Sequence, residues 1–107
     1  DIGDAVLYGF ASILLKNSRK DIDFVCRIGG EEFAIISLDS DIHSAKKLAM
    51  RIMQDTQILF EKEDYSVTAS IGISPFENKC SQWKDVYAQA DHNMYKAKKT
   101  GKNRVVC

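Results

Sequence analysis

The chain lacks an excess of charge of either sign: Lys+Arg and Asp+Glu each total 15 in 107 residues. That balance excludes a generally nucleic-acid-coating protein and leaves little long-range steering of charged partners. Long apolar runs are missing as well, so no stretch reaches the length of a membrane span, and no signal peptide is visible. A longer parent protein could still be membrane-attached or multidomain. Cys26, Cys80 and Cys107 are odd in number and widely spaced, which fits neither a disulfide framework nor a zinc site. They read as reduced cytosolic thiols, with Cys26 in the core. The two histidines, His43 and His92, lie far apart, and nothing pairs either with a nucleophile or a ligand set. At 107 residues, 45% hydrophobic and 28% charged, the chain has the size of one domain with one core, and the cysteines set the expectation that the domain is cytoplasmic.

The most informative stretch is Arg27-Ile28-Gly29-Gly30-Glu31-Glu32-Phe33. Phe24-Val25-Cys26 precedes it and Ala34-Ile35-Ile36 follows, so two β-prone apolar runs flank a glycine pair, the pattern of a tight two-residue hairpin. A Gly-Gly tip lets backbone N–H groups approach a bulky anion such as a nucleotide phosphate. Glu31 and Glu32 add hard oxygen donors suited to Mg²⁺ shared with phosphate oxygens. Side chains alternate along a strand, so the two glutamates cannot do the same job, and Glu31, nearer the tip, takes the direct role. The same local pattern also fits an exposed acidic hairpin with no ligand.

Around this hairpin the coarse order is helix, strand, turn, strand, helix, strand, helix, strand. Leu7, Phe10, Ala11 and Leu14 recur at helical spacing and predict a helix from Asp1 to about Lys16, with Asp4 as cap or dipole partner. Asn17 to Asp23 reads as a polar connection. Asp39, Ser40 and Asp41 supply turn and cap residues for a helix bearing Ala45, Leu48, Ala49 and Ile52 and running to about Leu59. Val67, Ala69, Ile71 and Ile73 alternate with polar or small residues, predicting a half-buried strand that Ser74 and the single proline, Pro75, end. A last helix runs from Ser81 to about Thr100, with Val86, Ala90, Met94 and Ala97 inward and Gly101 as its stop; Arg104 to Cys107 form a terminal strand.

Taken together, these motifs resemble the GGDEF family, the diguanylate cyclases, in the variant with Glu at the third motif position. The opening Asp1-Ile2-Gly3-Asp4, the hairpin string, Ala90-Asp91, Met94-Tyr95-Lys96-Ala97-Lys98 and Lys98-x-x-Gly101-Lys102-Asn103 occur in the family's order across the entire chain. The resemblance implies an α+β fold, an antiparallel-sheet/helix sandwich of the nucleotide-cyclase type, a relative of the ferredoxin fold. It implies that the strand near Ile71 lies beside the catalytic hairpin. It implies that Asp4 reads the guanine edge, that Gly29 and Gly30 approach the substrate, and that Lys98 and Lys102 grip the β- and γ-phosphates. Glu31 would be catalytic and, with Glu32, would hold Mg²⁺ or Mn²⁺. From the helix alone, the lysines also fit a solvated partner for the helix dipole.

The activity implied is condensation of two GTP into cyclic di-GMP and two pyrophosphates, a bacterial second-messenger reaction needing a second copy of the domain, without nucleic acid. The family's product-inhibition motif, Arg-x-x-Asp, falls on Lys20-Asp21-Ile22-Asp23. Lysine lacks the planar fork of arginine, which argues here for a charged solvated loop. In the family a central strand with a metal-binding aspartate precedes the stretch matched by Asp1, so residues 1–107 are expected to be a partial domain, inactive alone and dependent on some cover for exposed sheet edges. The alternative is a degenerate GTP-binding or protein-binding regulatory domain without catalysis; a purely structural interaction domain would bind neither nucleotide nor Mg²⁺.

Overall fold

Helix α1, Ile2–Asn17, carries its apolar residues over more than one face, and Ile13 and Leu14 are buried where it meets α2. The structure, a computed structural model, describes residues 2–29, 32–37, 41–62, 69–76 and 82–107. Asn17 closes α1: its Nδ2 donates to Ile13 O at 2.9 Å and to Asp55 Oδ2 at 3.0 Å, which ties the end of α1 to helix α2, Ile42–Lys62. Asp41 caps α2, its Oδ1 accepting the Ser44 N–H at 2.8 Å. Ala49, Ile52, Thr56 and Phe60 then recur every three or four residues and are buried.

The strands β1, Asp23–Gly29, and β2, Glu32–Ser37, pair antiparallel as the sequence predicts. The register differs by one residue from a tip made of the glycine pair. Gly29 is the last residue of β1 and faces Glu32, because the ladder shifts between Arg27 and Gly29 and takes up an extra residue. Gly30 and Glu31 lie outside the described residues. Val25, Phe33 and Ile35 pack on the core of Ile13, Leu14, Ile52 and Phe60, and the Phe10 and Phe33 rings meet edge-on at 5.6 Å. Cys26 does not join that core. It is exposed on the opposite face of the strand, next in the alternation to the cross-strand pair Phe24 and Ile36, which are 46% and 48% exposed.

The strand after α2 also departs from expectation. Among the described residues β3, Ser70–Gly72, has no pairing with the hairpin; it pairs in parallel with β4, Arg104–Val106, across helix α3, Trp83–Lys99. Two parallel strands need a crossover, and α3 supplies it, so this half is a βαβ unit and not part of an antiparallel sheet. Among the described residues the sheet is therefore in two halves, β1-β2 and β3-β4, both resting on one core, which Ile71 also reaches. Gly72, one residue on, points the other way and meets α3, so α1 and α2 lie on one side of β3 and α3 on the other. That contact is close: a Cβ on Gly72 would overlap Ala90 O and Met94 N and sit 2.9 Å from Asn93 C. Ala97, fully buried, continues the packed face of α3.

Candidate functional site

The site begins where β2 leaves the hairpin. Glu32 lies on the same strand face as Ala34 and Ile36, the face away from α1 and α2, and looks toward α3. Between them is an open cavity of about 310 Å³, lined from the strand by Glu32 and from the helix chiefly by Asp91, His92, Tyr95 and Lys98. Positions 91, 92, 95 and 98 form one stripe at helical spacing. One cavity thus holds carboxylates, an imidazole, a phenol and an ammonium. Such a mixture suits a ligand that carries anionic phosphates and an accompanying cation.

Of the residues singled out in the sequence, Glu32 and Lys98 are brought together here. Asp4 stands in the first turn of α1 and Lys102 beyond the end of α3, and neither lines the cavity. Gly29 sits at the hairpin's end opposite Glu32. Gly30 and Glu31 lie outside the described residues. Among the described residues no group of three or more His, Cys, Asp or Glu comes together to hold a metal; Glu32 offers the cavity hard oxygen donors of the kind Mg²⁺ and Mn²⁺ take. Sequence reasoning left out Asp91, His92 and Tyr95 as site residues. Their spacing ahead of Lys98 was the available signal.

The backbone that carries Lys102 is held in an uncommon shape. Gly101 has φ 131°, and Lys102 and Asn103 follow at 60° and 48°, three consecutive residues on the left-handed side. Gly101 is the residue that permits the reversal, and the Lys102 N–H donates back to Ala97 O at 2.9 Å in a Schellman closure of α3. Arg104 Nε donates to Lys102 O at 3.2 Å.

Lys20 and Asp23 are at the far end of the hairpin, where Asp23 pairs with Ser37. Lys20 is exposed in a turn, but Asp23 does not belong to a solvated loop: it opens β1, and its side chain is 1% exposed. Arg19 wraps it. The Arg19 backbone N–H and Nε donate to Oδ2 at 2.8 and 3.1 Å, and Nη2 donates to Oδ1 at 3.0 Å. These hydrogen bonds, chiefly from the Arg19 side chain, outweigh burial and hold the Asp23 carboxyl at a pKa of about 2. The carboxylate is committed to its own chain.

With the α+β domain and its cavity described, comparison with known proteins gives the family to which the chain belongs. Residues 1–104 match the family described as "Diguanylate cyclase, GGDEF domain", and the chain belongs to that family. It is 36% identical over 110 residues to the "Probable diguanylate cyclase DgcT" of Escherichia coli, covering 98% of this chain and 24% of that protein. It is 38% identical over 111 residues to the "Response regulator PleD" of Caulobacter vibrioides, covering 99% and 24%. "Diguanylate cyclase A" of Treponema denticola is 32% identical over 106 residues, covering 96% and 28%. The chain spans about a quarter of the length of these relatives. No helix among the described residues is long and apolar enough to cross a membrane.

Proposed function

We propose that this chain is the GTP-handling part of a cytoplasmic diguanylate cyclase. Two copies face each other across a two-fold axis, each holding one GTP, and each 3′-hydroxyl attacks the other's α-phosphate. Two pyrophosphates leave and cyclic di-GMP remains. The observation that carries this reading is the shared cavity of Glu32 and Lys98, a carboxylate and an ammonium placed on two different elements at the hairpin exit. Lys98, with Lys102 beyond the helix, offsets phosphate charge; Gly29 and Gly30 allow backbone approach; the Asp4 carboxylate accepts from the guanine N1–H and N2–H₂ edge, which adenine lacks. Glu31 and Glu32 would hold Mg²⁺ or Mn²⁺, which when bound neutralises charge on the phosphate oxygens. Glu31 takes the proton of the attacking hydroxyl. Most of the rate comes from positioning.

The same reading makes the chain inactive by itself. Its support is the divided sheet: β2 and β3 rest on one core without a ladder between them among the described residues. Product inhibition through Lys20 and Asp23 has no support, since Asp23 is engaged by Arg19. The test is GTP turnover with Mg²⁺, comparing this chain with a version extended at its N-terminus, each beside Glu31→Ala. Turnover by the extended protein alone, abolished by Glu31→Ala, is the expected result. Turnover by residues 1–107 alone overturns the inactivity. An extended protein that binds GTP and makes no product establishes the regulatory alternative instead.

A further inference from the structure

The stripe that faces Glu32 is on one side of α3, and something must fix the rotation of that helix about its axis. Asn93 is placed to do so. It is 4% exposed, its Nδ2 donates to Ile73 O at 2.8 Å, and its Oδ1 accepts from Gln89 Nε2 at 3.0 Å. The partner carbonyl is 20 residues away in the chain, just beyond β3, and the Ile73 N–H donates to Val106 O at 2.9 Å. Asn93 therefore connects α3 to the residue that also joins the β3–β4 pair. Beside it the bare Cα of Gly72 lets the helix backbone sit directly on the strand.

We propose that Asn93 is a positioning residue for the cavity, holding α3 in the rotation that directs Asp91, His92, Tyr95 and Lys98 toward Glu32. Two adjacent contacts divide the labour. Gly72 sets how close the helix lies, and a smooth backbone contact of that kind does not resist rolling. The Asn93 hydrogen bond is directional and does. With side chains a helix has a radius of about 5–6 Å, so a roll of about 20° carries a side chain on its surface by about 2 Å. Displacement of that size is enough to spoil a site that works by placement. Asn93 touches no ligand in this scheme; it acts through Lys98 and its neighbours, and its link to substrate rests on the cyclase reading above.

Two measurements test it, one of them independent of nucleotide. In a chain with Cys26, Cys80 and Cys107 replaced by serine, nitroxide labels on Glu32→Cys and Lys98→Cys report the distance across the cavity by dipolar broadening. Adding Asn93→Ala is expected to shift or widen that distance by about 2 Å at temperatures where circular dichroism shows the chain folded. Gln89→Ala, which removes only the group orienting Asn93, gives a smaller change and serves if Asn93→Ala does not fold. Separately, in the unlabelled chain, Asn93→Ala is expected to weaken Mg²⁺·GTP binding at least tenfold by calorimetry. An unchanged distance overturns the assignment whatever the binding shows. A shifted distance with undiminished GTP affinity overturns it too. If the parent chain takes no GTP, the cyclase reading fails for this chain, and the distance alone decides whether Asn93 sets the helix.

Discussion

Replacing Asp23 by asparagine should remove a charge without changing shape, and the structure sets the size of the effect. The carboxyl moves from 3.8 to about 2 on folding, with Arg19 as the main cause. A lowering of that size corresponds to about 2.4 kcal/mol of stability. That is an upper figure, because the Arg19 side chain is 47% exposed and water screens its half of the pair. The sign follows from the depressed value: the stabilisation is complete above the unfolded pKa and is lost as pH falls toward the folded one. By linkage about half of it is gone at pH 3 and nearly all by about pH 1. Urea unfolding of wild type and Asp23→Asn at a series of pH values between 7 and 2 measures this directly. The gap between the two proteins should be about 2 kcal/mol at pH 7 and should shrink steadily below pH 4. A gap that stays constant down to pH 2 would refute the reasoning, since it would mean that the Arg19 clamp does not depend on the carboxylate's charge.

The remaining predictions concern packing and the site. Gly72→Ala should cost at least about 2 kcal/mol in urea unfolding, because the added methyl meets helix backbone that cannot yield as a flexible side chain would; a loss under about 0.5 kcal/mol would show that α3 is not seated on β3 as described. Phe60→Ala, at one of the most buried positions, should cost about 3–4 kcal/mol and leave the chain mostly unfolded at 37 °C by circular dichroism. Thr56→Val should stay within about 1 kcal/mol of wild type, because among the described residues the Thr56 hydroxyl donates to Ile52 O within its own helix at 2.7 Å; a loss above about 2 kcal/mol would reveal another partner for the hydroxyl. Lys98→Ala should weaken Mg²⁺·GTP binding about tenfold or more by calorimetry, whereas Lys46→Ala, exposed on α2, should leave it unchanged.

The helices were the most legible part of the sequence, because their apolar periodicity spans several turns and their ends carry recognisable residues. Asp41 does cap α2, and Gly101 does end α3. The hairpin was legible in kind but not in register, because an irregularity before Gly29 adds a residue that no local pattern announces. The parallel pairing of β3 and β4 was written in the chain as strand, 17-residue helix, strand; the resemblance, which implies an antiparallel-sheet sandwich with this strand beside the hairpin, does not announce it, whereas the rule about crossovers does. Asp23 was illegible for a different reason. Arg19 reaches it because the chain doubles back through Asp21 at φ 64°, with the Asp23 N–H also donating to Arg19 O at 2.9 Å, and such a turn is not encoded by spacing alone. In the candidate site, Glu32 and Lys98 could be named from motifs. Asp91 and His92 could not be tied to Glu32 until the strand and the helix were placed side by side.

The divided sheet bears on how the molecule opens. The β1–β2 hairpin and the β3–α3–β4 unit share a core but, among the described residues, no backbone ladder, so each can exchange its amide protons with solvent through an opening of its own. The cavity lies across the seam between them, Glu32 on one unit and Lys98 on the other. A ligand that touches both makes two independent openings into one. At a hundred times its dissociation constant it adds about 2.7 kcal/mol to whichever opening releases it, slowing exchange about a hundredfold on both sides of the seam at once.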